Sequence, residues 1–178
     1  LIQNLLSRLI EDTQNLEIQM DKILQLSRVE LGGKLNLVTI DLNNFLRSFI
    51  NGHVVENINV KLTIPDNATV IADGFALELI LKNLLENTRQ HTKSKDISIA
   101  ITESDNFYHL TYQDGGQFSG DISKLGELFY KQNTSPGSGI GIYLVKKLMD
   151  KMNGSLNIRC TDTAGGLSFV LGFSKGQS

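Results

Sequence analysis

From residue 1 to about residue 31 the apolar side chains fall in a heptad. Ile2, Leu9, Leu16 and Ile23 share one position, and Leu6, Thr13, Met20 and Ser27 share the position four residues later. A 4-3-4-3 spacing draws a narrow apolar seam along one helix, of the kind that joins helices in bundles and coiled coils. Leu5, Ile10 and Leu24 widen the seam, while Thr13 and Ser27 weaken it. A long helix with a helical partner is therefore expected in preference to a helix lying on its own domain. Gly32-Gly33 ends it, and the period then changes to two. Lys34 to Ile40 alternates as a strand, and Asp41 reads as the N-cap of a helix from Leu42 to about Ile50. Ile58 to Ile64 alternates again and turns at Pro65-Asp66-Asn67. Thr69 to Ala72 predicts a short strand that stops at Asp73.

From Gly74 to about Thr92 the period is helical once more. Leu77, Ile80, Leu81, Leu84, Leu85 and Thr88 make the buried face, and Asn83 and Asn87, four apart, project together from another. Asp96 to Glu103 and Phe107 to Gln113 read as adjacent strands, and the second runs into Asp114-Gly115-Gly116. Residues 117 to 136 are polar apart from a patch at Leu125, Leu128, Phe129 and Tyr130, which predicts a loop able to cover a site. A helix over Ile140–Met152 and two strands, Ser155–Thr161 and Leu167–Phe173, complete the chain.

Composition narrows the classes. A chain of 178 residues suits one ordinary domain with an appendage. With 17 basic and 19 acidic side chains and no basic run, nucleic acid is not an expected partner. No apolar stretch approaches the ~18–20 residues that cross a bilayer. The single Cys160 alternates with Leu156 and Ile158, so it is expected to be buried in a strand, and one cysteine cannot close an internal disulfide.

Three features carry candidate chemistry. In Gly137-Ser138-Gly139-Ile140-Gly141 the glycines alternate just before an apolar helix. Such a turn leaves the first backbone N–H groups of the helix facing outward, where they and the helix dipole favour a phosphate. The Lys-Ser/Thr pair of a P-loop is absent, and Gly-x-Gly-x-Gly late in the chain does not match the dinucleotide fingerprint. Asn83 and Asn87 are mediocre helix formers placed mid-helix. They read either as locally bonded amides or as neutral oxygen ligands for a hard cation and its phosphates. Asp114 is an acid at a strand end beside glycines that let a ligand approach the backbone.

Taken together, four stretches in this order resemble the boxes of sensor histidine kinases. Leu79 to Thr92 looks like the asparagine box, and Asp114-Gly115-Gly116 resembles the first glycine box, Asp-x-Gly-x-Gly. Leu128-Phe129-Tyr130-Lys131 is similar to the phenylalanine box, and Gly137 to Val145 resembles the second glycine box. Ser27-Arg28-Val29-Glu30 with Gly32 resembles the end of the second helix of the family's dimerisation bundle. The resemblance implies an α+β fold: a two-layer sandwich with a mixed sheet covered on one face by helices, the GHKL ATP-binding fold, preceded by a long helix. Residues 1–33 would be the second bundle helix and 34–178 the catalytic domain.

The same resemblance implies a site for ATP and Mg²⁺. It assigns nucleotide contacts to Asn83, Asn87, His91, Asp114, Gly116, Tyr130, Lys131, Gly137, Gly139, Ile140, Gly141 and Leu144. Asp114 would accept from the adenine amino group, Asn87 would hold Mg²⁺, and Lys131 would reach toward the γ-phosphate. The implied partners are a second copy through the N-terminal helix and the receiver domain of a response regulator. The implied location is cytoplasmic, within a parent anchored in the inner membrane by other segments. Some positions depart from the pattern. Phe118 replaces the last glycine of the first box, which implies a stiffer lid edge, and Gln90 stands where many relatives have lysine. These departures favour the alternative of a degenerate module acting as a scaffold. A third class, the related ATP hydrolases, places a general-base glutamate where this chain has Asn83, which cannot take a proton. The acceptor-histidine segment of the family is expected on a helix absent from this chain, so the chain is not expected to phosphorylate itself.

Overall fold

The computed structural model describes residues 2–53, 58–92, 96–131, 138–161 and 165–176. In chain order the elements are α1 (Ile2–Glu30), β1 (Val38–Asp41), α2 (Leu42–His53), β2 (Asn59–Thr63), β3 (Thr69–Ala72), α3 (Gly74–His91), β4 (Asp96–Glu103) and β5 (Phe107–Asp114). A short 3₁₀ turn (Ile122–Lys124), α4 (Gly141–Lys151), β6 (Ser155–Cys160) and β7 (Leu167–Ser174) follow. Five strands form one sheet in the order β2-β4-β5-β7-β6. β2 runs parallel to β4, and the other pairs are antiparallel. β1 and β3 form a separate antiparallel pair, tied to the segment after β7 by the bridge Val70–Lys175.

One face of the sheet supplies the core. Tyr108, Leu110 and Tyr112 alternate inward along β5, and Phe169, Leu171 and Phe173 do so along β7. Leu77, Ile80, Leu81 and Leu84 of α3, with Leu144, Val145 and Leu148 of α4, cover them without a solvent-exposed atom worth noting. This is the mixed α/β sandwich that the resemblance implies. α3 starts where Asp73 caps it: Oδ1 accepts from the Ala76 backbone N–H at 2.9 Å, while Oδ2 accepts from the Asn36 backbone N–H at 2.7 Å. α3 ends where Thr92 turns to extended backbone.

α1 has no buried residue. Its seam is open to solvent, with Leu9, Leu16 and Ile23 more than half exposed. Its last turns touch the sandwich, where Leu26 and Val29 pack at the edge of the core. Glu30 accepts from the Tyr143 hydroxyl at 3.1 Å and pairs with Lys147 at 3.2 Å, both on α4. These donors hold the Glu30 carboxyl below its ordinary pKa, the Lys147 hydrogen bond first.

Two expectations need correction. The first strand begins at Val38, not Lys34, because no neighbouring strand pairs with residues 34–37. Cys160 is exposed, not buried. It ends β6, an edge strand, where alternation no longer meets a covering helix. His53, the last residue of α2, is half-buried. Its ring stacks on Phe49 at 4.6 Å, and Nε2 lies 3.4 Å from Glu78.

Candidate functional site

The cavity forms where the polar end of α3 meets the glycine turn before α4. Both Asn83 and Asn87 are on its wall, but they are not alike. Asn83 is buried and donates from Nδ2 to the Leu79 carbonyl at 2.8 Å, a local i−4 bond. Its Oδ1 is buried without a hydrogen-bond partner. An unsatisfied buried acceptor costs roughly 1–3 kcal/mol, and it marks a place where a ligand or ordered water belongs. Gly141 faces this oxygen: a β-carbon there would sit 3.1 Å from Asn83 Oδ1 and fill the space in front of it. Asn87, one turn further, is half-buried.

Asp114 closes the other end. It is buried at the end of β5, and Oδ1 accepts from the backbone N–H of Gly116 at 3.1 Å and of Leu167 at 3.4 Å. Oδ2 lies 3.3 Å from the Thr88 hydroxyl, which in turn lies 2.9 Å from the Tyr112 hydroxyl. Burial pushes the Tyr112 phenol well above its ordinary pKa. Either hydroxyl can donate in the Thr88–Tyr112 pair, and the Thr88 hydroxyl also lies 3.2 Å from the Leu84 carbonyl.

The cavity between these ends holds about 220 Å³. Gly116, Gly139 and Gly141 line it together with His91, Tyr130 and Lys131. His91 is reached by solvent through the cavity mouth, yet the surrounding protein lowers its pKa by desolvation; Asp114 raises it in opposition, and Lys22 adds to the lowering. Neutral imidazole is thus the favoured form at physiological pH. The covering segment is short and held at Tyr130, whose hydroxyl accepts from the Asp121 backbone N–H at 3.0 Å.

Most residues singled out from the sequence converge here. Ile140 and Leu144 do not line the cavity; both are buried, Leu144 among the core side chains under the glycine turn. Gly137 lies outside the described residues. Several wall residues carried no sequence signal. Leu167 arrives from the far strand β7, and Lys22 arrives from α1. Phe118 and Gln90, the two departures from the box pattern, are also on the wall, and Gln90 donates to Glu86 at 2.7 Å.

The backbone is strained at the covering segment. Phe129 adopts φ 64° and Gly139 φ 70°. The two are braced by a bond from the Phe129 N–H to the Gly139 carbonyl at 3.1 Å. A β-carbon on Gly139 would meet the Phe129 carbonyl carbon at 2.7 Å. Non-glycine residues in this region persist only where surroundings over-determine them, and they cluster at sites of binding and motion.

Comparison with known proteins agrees with this geometry. The family model for histidine kinase-, DNA gyrase B- and HSP90-like ATPases matches residues 72–177. The chain is 29% identical over 122 residues to the signal transduction histidine-protein kinase BaeS of Escherichia coli, covering 64% of this chain and 26% of that protein. It is 24% identical over 161 residues to the sensor protein CiaH of Streptococcus pneumoniae, covering 84% of this chain and 36% of that protein. The chain thus spans about a quarter to a third of these relatives. Among solved structures, full-length ShkA in complex with AMPPNP superposes with a TM-score of 0.80 at 19% identity, over 99% of this chain and 40% of that one. The mycobacterial sensor histidine kinase MprB superposes with a TM-score of 0.69 at 18% identity, over 80% of this chain and 100% of that one. At these identities the structures show a shared fold.

Gly139→Ala should cost about 1–3 kcal/mol of stability, because it combines a left-handed φ with a backbone collision. Urea unfolding of both proteins measures this; a loss within experimental error would mean that the turn relaxes freely and that the brace to Phe129 does not constrain it.

Proposed function

Because the chain belongs to the histidine kinase-, DNA gyrase B- and HSP90-like ATPase family, we propose that it is the catalytic, ATP-binding part of a sensor histidine kinase. In this reading residues 34–178 bind ATP, and residues 1–33 are the second helix of the dimerisation bundle. The γ-phosphoryl group passes to a histidine nitrogen: an N–P bond forms, the bond from phosphorus to ADP oxygen breaks, and the imidazole proton is released. The phosphoryl group is then relayed to a response regulator receiver domain.

The observation that carries the choice within the family is Asn83. A hydrolase needs a base here to deprotonate water, and a buried amide with Nδ2 committed to the Leu79 carbonyl supplies none. It offers an oxygen instead, unpaired and facing the glycine turn. The scaffold alternative has less support, since the cavity is open although Phe118 and Gln90 line it.

Each residue has a role that its position supports. The Asp114 carboxylate has about four acceptor sites. Two backbone N–H groups and one hydroxyl leave capacity for the exocyclic amine of adenine. Gly116 lets the base lie close to the backbone. Asn83 and Asn87 present neutral oxygens to the phosphate end. Among the described residues no cluster of His, Cys, Asp and Glu could hold a metal ion. Mg²⁺ would therefore enter with the triphosphate, with the Asn87 amide oxygen as its protein ligand, in keeping with the few protein ligands that this ion takes. When bound, the ion would neutralise charge on the transferring phosphates. Lys131 and His91 line the same cavity, and Gly139 and Gly141 keep the helix N–H groups accessible.

The acceptor is none of the described histidines. His53 spends Nδ1 on the Phe49 carbonyl and Nε2 on Glu78. His109 is mid-strand on β5, with Nε2 at 3.2 Å from Ser104. His91 lines the nucleotide cavity itself. The open seam of α1 supports pairing with a second copy. Among the described residues no helix is long and apolar enough to cross a membrane; anchoring in the inner membrane, with this part in the cytoplasm, belongs to the parent protein in this reading.

Asp114→Asn should weaken ATP binding roughly tenfold or more, through loss of a charge-assisted hydrogen bond of about 1.5–3 kcal/mol. Asn87→Ala should remove the dependence of binding on Mg²⁺. Calorimetric titration with and without Mg²⁺ tests both; wild-type affinity in Asp114→Asn would take the carboxylate out of adenine recognition. Incubation with γ-labelled ATP should leave no acid-labile, alkali-stable label on this chain, and such a label mapped to His53, His91 or His109 would reverse the acceptor assignment. Sedimentation should show a concentration-dependent monomer–dimer equilibrium that Leu16→Asp shifts to monomer. Strict monomers at high wild-type concentration would count against pairing through the seam.

A further inference from the structure

Lys22 reaches the cavity from an element that carries none of the sequence boxes. It stands on α1, yet it lines the same wall as Asn83, Asn87 and Gln90. Its side chain is 12% exposed, on a helix that otherwise faces solvent. The ammonium pairs with Glu86 Oε1 at 3.0 Å, and the same oxygen accepts from Gln90 Nε2 at 2.7 Å. Glu86 immediately precedes Asn87, so the pair sits at the end of the cavity where neutral amide oxygens gather. Glu86 takes one of the three donors that an ammonium carries.

The position of Lys22 is built by the fold. Residues 22, 26, 29 and 30 recur at helical spacing, so they share one face of α1. Leu26 and Val29 pack at the edge of the core, and Glu30 is held by Tyr143 and Lys147 of α4. The attachment at one end of this face brings Lys22 to the cavity at the other. Gln90 is neutral, and the remaining lysine of the wall, Lys131, is exposed at the mouth. Lys22 is therefore the sheltered cation of the cavity. Its charge is felt inside, where it adds to the desolvation that lowers the His91 pKa.

We propose that Lys22 is a phosphate-binding residue delivered by α1: when α1 lies on the sandwich, its ammonium is shared between Glu86 and the phosphate oxygens of the nucleotide. The inference rests on the ATP-binding reading above. A polyanion entering the cavity strengthens the contact, because hydrogen bonds between ions of opposite charge are the strong ones. By linkage, bound ATP must tighten the attachment of α1 by the factor by which α1 tightens ATP. Adenosine, which has no phosphates, must be indifferent to both.

The test is calorimetric titration of Mg²⁺-ATP and of adenosine into the full chain and three variants. Lys22→Ala should weaken ATP binding roughly tenfold, with adenosine affinity unchanged and Lys22→Arg recovering most of the loss. Glu30→Lys lies away from the cavity and sets like charge against Lys147, so it releases α1. It should weaken ATP binding to a similar extent, and adding Lys22→Ala to it should cause little further loss. Unchanged or tighter ATP binding by Lys22→Ala overturns the proposal, and so does an equal loss for adenosine. Should circular dichroism show Lys22→Ala to be misfolded, Glu30→Lys decides alone by the same comparison of ATP with adenosine. Failure of the ATP-binding reading has its own signature: the unmodified chain would bind neither ligand.

Discussion

The buried carboxylate of Asp114 is the contact on which core and cavity both depend. It ends β5, and it accepts from the Gly116 N–H, from the Leu167 N–H of β7 and from Thr88 of α3. A carboxyl group taken out of water needs donors in place of its hydration. Here those donors come from three different elements. The central sheet, the helix over it and the loop leaving it are thereby held in one relation at the spot where the cavity opens. The Tyr112–Thr88 pair extends this network into the core, so the recognition end of the site is as rigid as the packing around Phe169 and Leu171.

The end of the cavity proposed for the phosphates follows a different plan. Asn83 holds the Leu79 carbonyl with its nitrogen, but its oxygen is left unpaired, and Phe129 in the covering segment is held at φ 64°. Satisfied groups grip one end of the cavity while unsatisfied ones wait at the other. Such a division suits a ligand whose base is recognised and whose phosphates react. In the proposed reading the Asn83 amide offers an oxygen at the place where a hydrolase would need a base.

Much of this was legible in the sequence because it is local. The helical period revealed α3 and α4, and a spacing of four placed Asn83 and Asn87 on one face. Alternation gave most of the strands, and the short turn between them paired β4 with β5, but the other neighbours were not legible. Cys160 alternates correctly with Leu156 and Ile158 and is still exposed, since nothing in a strand's own residues tells that it will be an edge. The parallel pairing of β2 with β4 and the arrival of Leu167 at Asp114 are long-range facts of the same kind. Lys22 is the plainest case. In the heptad it is an ordinary polar position, and its place on the wall depends on how the helix lies against the sandwich, which no local pattern encodes.

Asp73 has both carboxylate oxygens occupied, one by the first turn of α3 and one by the backbone of Asn36 in the connection that follows α1. The connection is therefore not slack. Gly32, at φ 91°, turns the chain out of α1, and a few residues later the chain is pinned to the foot of the helix that bears Asn83 and Asn87. A single carboxylate is thus a shared footing: the path leaving α1 and the first turn of that helix are fastened at one point, and removing it would loosen both at once.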